Sequence, residues 1–173
     1  MMDLLYYGAA VLLALLLRRY VFSLARVKGA SMLPTLKNGD WAFVWRLPYL
    51  WRRPRRFDVV ICHFPGRRSK RIPFLHQHFV KRVVGLPGET LEVIEGVLHV
   101  NGSPIAEDFL DPARTRFFRS RAPITLGDDE YFVLGDNRDG SNDSRRMGPL
   151  KGRAIRGRVA CLLWPLKRIR RIR

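Results

Sequence analysis

A serine enclosed by small residues, a lysine enclosed by apolar ones, and a short stretch crowded with acids, arginines and serines carry the covalent chemistry open to this chain. Ser31 lies in "GASMLPTL" at 29–36. Gly29 and Ala30 leave space beside its hydroxyl, and Pro34 turns the chain soon afterwards. The octet alone fits a helix-to-strand connection as well as a nucleophile on a tight bend. A serine nucleophile needs a base. The histidines His63, His76, His78 and His99 lack the acidic or small-residue surroundings that would orient an imidazole in a Ser-His-Asp arrangement. His76 and His78 share a strand face but have no third ligand for a metal.

Lysine is the other base that activates serine, provided that burial lets it lose its proton near neutral pH. Strand alternation in "HFVKRVVGLPGE" (78–89) puts Phe79 and Val83 on the face of Lys81 and Val80 on the other. Most other basic residues fall in runs such as "RRPRRF" and "RRSKR", which read as solvated loops. Period alone leaves an ordinary strand lysine equally compatible. The third stretch, "VLGDNRDGSNDSRRMG" (133–148), gathers Asp136, Asp139, Asp143, Arg138, Arg145, Ser141 and Ser144. Turns collect such residues for backbone reasons. Acids, arginines and serines interleaved in this way can also form an ion-paired scaffold that holds a hydroxyl toward a buried amine.

Elements must position these groups. The 173 residues are enough for one domain with a core, or one domain plus an anchor. With 47% hydrophobic residues the chain is not disordered, and its net charge of +17 suggests an anionic neighbour, nucleic acid or lipid. Cys62 and Cys161 could pair, but they have no spacing signature for zinc or a redox motif and are read as buried, small apolar residues. Leu4 to Leu17 is an uncharged run, short of the roughly 20 residues of a spanning helix unless Arg18 and Arg19 snorkel to the headgroups. A retained anchor over 1–26 is expected in preference to a cleaved signal peptide, because no positive segment precedes the run. Residues 27–166 then form the main domain, and 167–173 a basic tail suited to anionic headgroups.

Beyond the anchor, strands are expected at 40–47, 58–64, 78–86, 91–105, 130–137 and 154–164, with Asn101-Gly102 marking a hairpin. Segments 65–77 and 106–123 read as loops. Strands do not alternate with helices, so the fold class is an antiparallel all-β domain.

Taken together, the three stretches resemble the boxes of the type I signal peptidases, membrane-bound serine/lysine proteases that remove signal peptides from exported proteins. "GASMLPTL" is similar to the nucleophile box, "FDVVICHFP" followed by "FVKRVVGLPGE" to the general-base box, and "GDNRDGSNDSRRMG" to the most distinctive one. The resemblance runs in order from residue 4 to about 164. It implies an all-β catalytic domain behind an N-terminal transmembrane helix, with Ser31 as nucleophile and Lys81 as general base. It further implies that Ser141 orients the Lys81 amine, with Asp143, Arg145 and Asp136 in the surrounding scaffold. Met32, Leu36, Phe79 and Val80 would line shallow pockets for small side chains. Gly29 stands where some members carry a serine that helps hold the oxyanion. The implied partners are signal peptides of exported preproteins and membrane lipid; no cofactor, metal or nucleic acid is implied. Arg18, Arg19, Arg26 and Lys28 favour a cytoplasmic domain by the positive-inside bias. The resemblance instead implies a single-pass plasma-membrane protein with its catalytic domain outside the cytoplasm, and that is the expectation adopted. Rival readings are another serine/lysine membrane peptidase, or a membrane-tethered basic module that binds nucleic acid or lipid.

Overall fold

A computed structural model describes residues 2–16, 20–68, 76–115 and 121–172. After helix α1 (Met2–Leu16) the regular structure of the described residues is mainly β. The larger sheet contains β1 (Phe22–Arg26), β2 (Trp41–Trp45), β3 (Val59–Arg68), β4 (His76–Gly85), β9 (Glu130–Leu134), β10 (Leu150–Lys151), β11 (Ile155–Trp164) and β12 (Arg170–Arg171). Its order is β1-β2-β11-β3-β4-β9-β10, with β12 on β11. A smaller sheet has the order β7-β6-β5-β8, from β5 (Thr90–Ile94), β6 (Val97–Val100), β7 (Ser103–Pro104) and β8 (Arg121–Thr125). Every pairing among the described residues is antiparallel. Two one-turn helices, α2 (Pro48–Trp51) and α3 (Ser144–Met147), complete the described elements with short 3-10 turns.

The antiparallel β reading therefore holds, because runs of Val, Ile and Phe alternate between two buried faces. On β3, Val59 and Ile61 join Met32, Leu36 and Val44, whereas Val60 and Cys62 join Val83, Tyr131 and Val133 on the opposite side. Both thiols are free, Cys62 buried and Cys161 half-buried. Asn101-Gly102 does turn the chain, between β6 and β7, and Glu95-Gly96 makes the equivalent turn between β5 and β6, all four with positive φ.

Several boundaries differ from the sequence reading. β3 and β4 run on to Arg68 and back from His76, past a register shift between His63 and Arg68 that accommodates Pro65-Gly66. β8 begins inside the stretch 106–123 that was expected to be loop and runs on to Thr125. The expected N-terminal transmembrane helix is not found: α1 has 15 residues, a rise of about 22 Å against the roughly 30 Å of a bilayer core. Among the described residues no helix is long and apolar enough to cross a membrane. Arg18 and Arg19 lie outside the described residues. Phe22–Arg26, expected at the end of the anchor, is instead the edge strand β1, paired with β2 from Phe22↔Trp45 to Arg26↔Trp41.

Candidate active site

The loop between β1 and β2 carries Ser31. Its base is closed by Val27 N–H to Asp40 O (2.8 Å) and Gly39 N–H to Val27 O (2.9 Å). Met32 and Leu36 are joined by Leu36 N–H to Met32 O (2.8 Å), and both side chains sink into the core. That pair leaves Ser31 at the surface of the loop. Gly29, at φ +88°, donates its N–H to Asn38 Oδ1 (3.0 Å).

Lys81 comes from the middle of β4, opposite Val60 on β3. It is 2% exposed, and its Nζ lies 5.7 Å from the centre of the Phe79 ring, as expected for residues two apart on one strand face. Nζ donates to Ser31 Oγ at 2.9 Å and to the Val80 carbonyl at 2.9 Å. Burial pushes the Lys81 pKa below its ordinary value; the positive Arg145 adds to this, while Asp143 and Asp136 oppose it. The amine is therefore more readily neutral than a surface lysine. Burial likewise pushes the nearby Cys62 thiol up to about 12, which keeps it protonated.

Segment 135–145 supports the Ser31 loop. Asn137 donates from its backbone N–H to Ser31 O (3.1 Å) and from Nδ2 to Ala30 O (3.1 Å). Gly135 must be glycine: a Cβ there would run into Ser141 Oγ and the Ser31 carbonyl oxygen. Asp136 is fully buried and accepts two bonds from Arg82, Nε at 2.9 Å and Nη2 at 2.8 Å, plus one from the Thr35 hydroxyl. Arg82 points away from Lys81, stacks its guanidinium 3.9 Å over the Phe109 ring and donates to Phe57 O. Asp143 caps α3 and accepts from Gly135 N–H (3.0 Å) and Arg145 Nε (2.8 Å). Burial alone would raise the Asp143 pKa, but the Arg145 guanidinium holds its carboxyl below the usual range. Arg145 also donates to Arg138 O (2.7 Å), and Arg138 forms a two-pronged pair with Glu107.

The structure thus brings Ser31, Lys81, Ser141, Asp143, Arg145 and Asp136 into one neighbourhood. The bond from Ser141 to the Lys81 amine that the resemblance implies is not formed. The amine is directed at Ser31 and at Val80 O, whereas Ser141 Oγ is turned against Gly135 and the Ser31 carbonyl. That hydroxyl is buried against the Asp143 carboxylate, whose pKa it helps to lower. Arg82, Asn137, Thr35 and Glu107 were not singled out from sequence, although strand alternation alone would turn Arg82 to the face opposite Lys81.

A groove of about 1120 Å³ opens beside Ser31 and Lys81, lined by residues 23–32 on one side and 77–81 on the other. Gly29, Met32, Phe79 and Val80 line it. Leu36 does not: four residues after Met32 on a helical turn, it is fully buried in the core. β1 is an edge strand, so its outer hydrogen-bonding groups face the groove and can pair with an extended peptide. His78 lines the groove, whereas His99 lies on β6 and contacts Val97 O. Among the described residues there is no cluster of three His, Cys, Asp or Glu able to hold a metal.

A family model described as "Signal peptidase, peptidase S26" matches residues 2–164. The chain is 36% identical over 163 residues to signal peptidase I of Leptolyngbya laminosa, covering 94% of this chain and 78% of that protein. It is 37% identical over 160 residues to the probable signal peptidase I-1 of a Synechocystis strain, covering 92% and 80%. Bacillus caldolyticus signal peptidase I is 35% identical over 169 residues, covering 91% and 88%. A crystal structure of a signal peptidase I from Enterococcus faecalis is 33% identical, with a TM-score of 0.47, and covers 62% of this chain and 97% of that one.

Proposed function

The chain belongs to the peptidase S26 family of signal peptidases, hydrolases that cleave signal peptides, and on that premise we propose that it cuts them with Ser31 as nucleophile and Lys81 as general base. The observation that carries this reading is the 2.9 Å contact between Lys81 Nζ and Ser31 Oγ, at the mouth of a groove and with the amine buried. Neutral Lys81 takes the Ser31 proton as Oγ attacks the scissile carbonyl carbon. The tetrahedral oxyanion forms beside the Ser31 backbone N–H, which donates to no partner among the described residues. As the C–N bond breaks, the Lys81 ammonium returns its proton to the leaving amine. A water then loses a proton to Lys81, attacks the Ser31 ester and releases the signal peptide, restoring Ser31 O–H.

Asp136, Asp143 and Arg145 hold the Ser31 loop and segment 135–145 rather than react, and Ser141 packs beside them. Met32, Phe79 and Val80 line a groove suited to small side chains before the cut, so alanine is preferred there. Membrane placement is part of the same reading. Phe22 and Leu24 on β1, Trp41 and Trp45 on β2, and Trp164 on β11 are exposed at paired positions of one sheet face. Together with the apolar α1 they present a surface for lipid beside the groove, on the extracytoplasmic side of the plasma membrane.

The test is cleavage of a purified preprotein by the wild type and by Ser31→Ala in lipid vesicles. The wild type should release the signal peptide by one cut, and Ser31→Ala should not. Equal cleavage by both would refute Ser31 as the nucleophile.

A further inference from the structure

We infer that the C-terminal segment 168–172 is a positioning strap for the Ser31 loop; the inference rests on Ser31 being the nucleophile. "KRIRRIR" invites a solvated reading, but its contacts are specific. Arg168 Nη1 donates to both oxygens of Asp40, at 2.8 and 2.9 Å, and the Asp40 carboxylate is only 3% exposed. Asp40 in turn accepts from Lys37 N–H at 2.8 Å, so the arginine grips the carboxylate that closes the loop. Arg170 Nη2 donates to Thr35 O at 2.7 Å. Ile172 bonds its N–H to Ala160 O at 3.0 Å and buries its side chain in the cluster that holds Met32 and Leu36. Short β12 pairing with Cys161 and Leu162 of β11 sets the register of all three contacts.

The loop is thus held from two sides. Arg82, Asp136 and Asn137 grip it from within, through Thr35 Oγ1, Ser31 O and Ala30 O. The strap grips it from outside, through Thr35 O, Asp40 and the core under Met32. Thr35 is bound on both sides, by its hydroxyl and by its carbonyl. Releasing the outer side lets the turn shift as a unit, and Ser31 Oγ then drifts from Lys81 Nζ while the groove walls on β4 stay in place. The effect belongs in kcat rather than in KM.

The experiment measures kcat and KM for preprotein cleavage by the full chain carrying Arg168→Ala, Arg170→Ala, Arg168→Lys or Asp40→Ala, per folded molecule as counted by circular dichroism. Arg168→Ala and Arg170→Ala should each lower kcat about 10-fold with KM within about twofold, as a small misplacement of reacting groups does. Arg168→Lys, which keeps one charged bond to Asp40, should recover most of that loss. In an Asp40→Ala background Arg168→Ala should add little, because the pair acts as one. Lys167→Ala, exposed and outside these contacts, should match the wild type. Full kcat in folded Arg168→Ala and Arg170→Ala, or a loss explained wholly by fewer folded molecules, would overturn the strap. An active Ser31→Ala would instead overturn the nucleophile on which it rests.

Discussion

The two sheets bury opposite kinds of interior. Beneath the smaller one, Leu91, Val93, Leu98 and Val100 pack on Val84, Leu126, Phe132 and Leu134, an apolar core of ordinary composition. Around the dyad the larger sheet and segment 135–145 bury Lys81, Arg82, Asp136, Asn137, Arg138, Ser141 and Asp143. Among the described residues of β5 to β8, no polar or charged residue is buried. Apolar packing stabilises at about 25 cal/mol per Å² of buried surface without desolvating any charge. Buried ion pairs roughly break even against such packing, so stability alone does not account for them. What they provide here is direction: Asp136 fixes Thr35, Asp143 fixes Gly135, and between them Ser31 meets the amine of Lys81.

The contrast can be attacked at both ends. Asp136→Ala leaves the Arg82 guanidinium buried without its carboxylate and should cost about 3–5 kcal/mol in urea unfolding, with lower kcat in the molecules that still fold. A loss below about 1 kcal/mol would make the pair no better than a surface one. Leu98→Ala in the smaller sheet should cost about 2–3 kcal/mol as a cavity and leave kcat per folded molecule unchanged; a matching fall in kcat would erase the division of labour.

Lys81→Met sharpens the comparison from the other side. The folded state lowers the Lys81 pKa, so between that value and the unfolded value near 10.4 the unfolded chain binds the extra proton. Wild-type stability therefore falls as the pH drops through this window. Lys81→Met should be inactive yet more stable than the wild type at neutral pH, the advantage shrinking as pH rises toward about 10.4. Denaturant midpoints against pH read this directly, and an advantage independent of pH would contradict it. Val97→Thr, on the exposed side of β6, should change stability by no more than about 0.5 kcal/mol.

How much of this was legible in the sequence followed the same division. Ser31 and Lys81 could be read because each sits among neighbours unlike itself, small residues around one and apolar residues around the other. Arg82 could not, because "KR" reads as two solvated cations until a strand sends them to opposite faces. The strands with clean alternation were legible to within a few residues. β1 was hidden because Phe22–Arg26 resumes an apolar pattern just after Arg18 and Arg19 and so reads as the end of the anchor. The strap was hidden for an electrostatic reason: a run of arginines looks solvated unless the acid that pairs with it, Asp40, is known to lie alongside. Leu36, expected in the groove, lies in the core because a helical turn, invisible in the octet, turns it inward with Met32.

The central claim is that a neutral amine at position 81 takes the proton of Ser31. Lys81→Arg tests it most directly, since guanidinium keeps a charge and hydrogen-bond donors but does not give up its proton in a protein. Measured as preprotein cleavage across pH 6–10, the wild type should gain activity as pH rises through the Lys81 pKa. Folded Lys81→Arg should be reduced by at least about 10²–10⁴-fold, the range expected for loss of a general base, and flat with pH. Substantial turnover by Lys81→Arg with the wild-type pH profile would show that the base lies elsewhere.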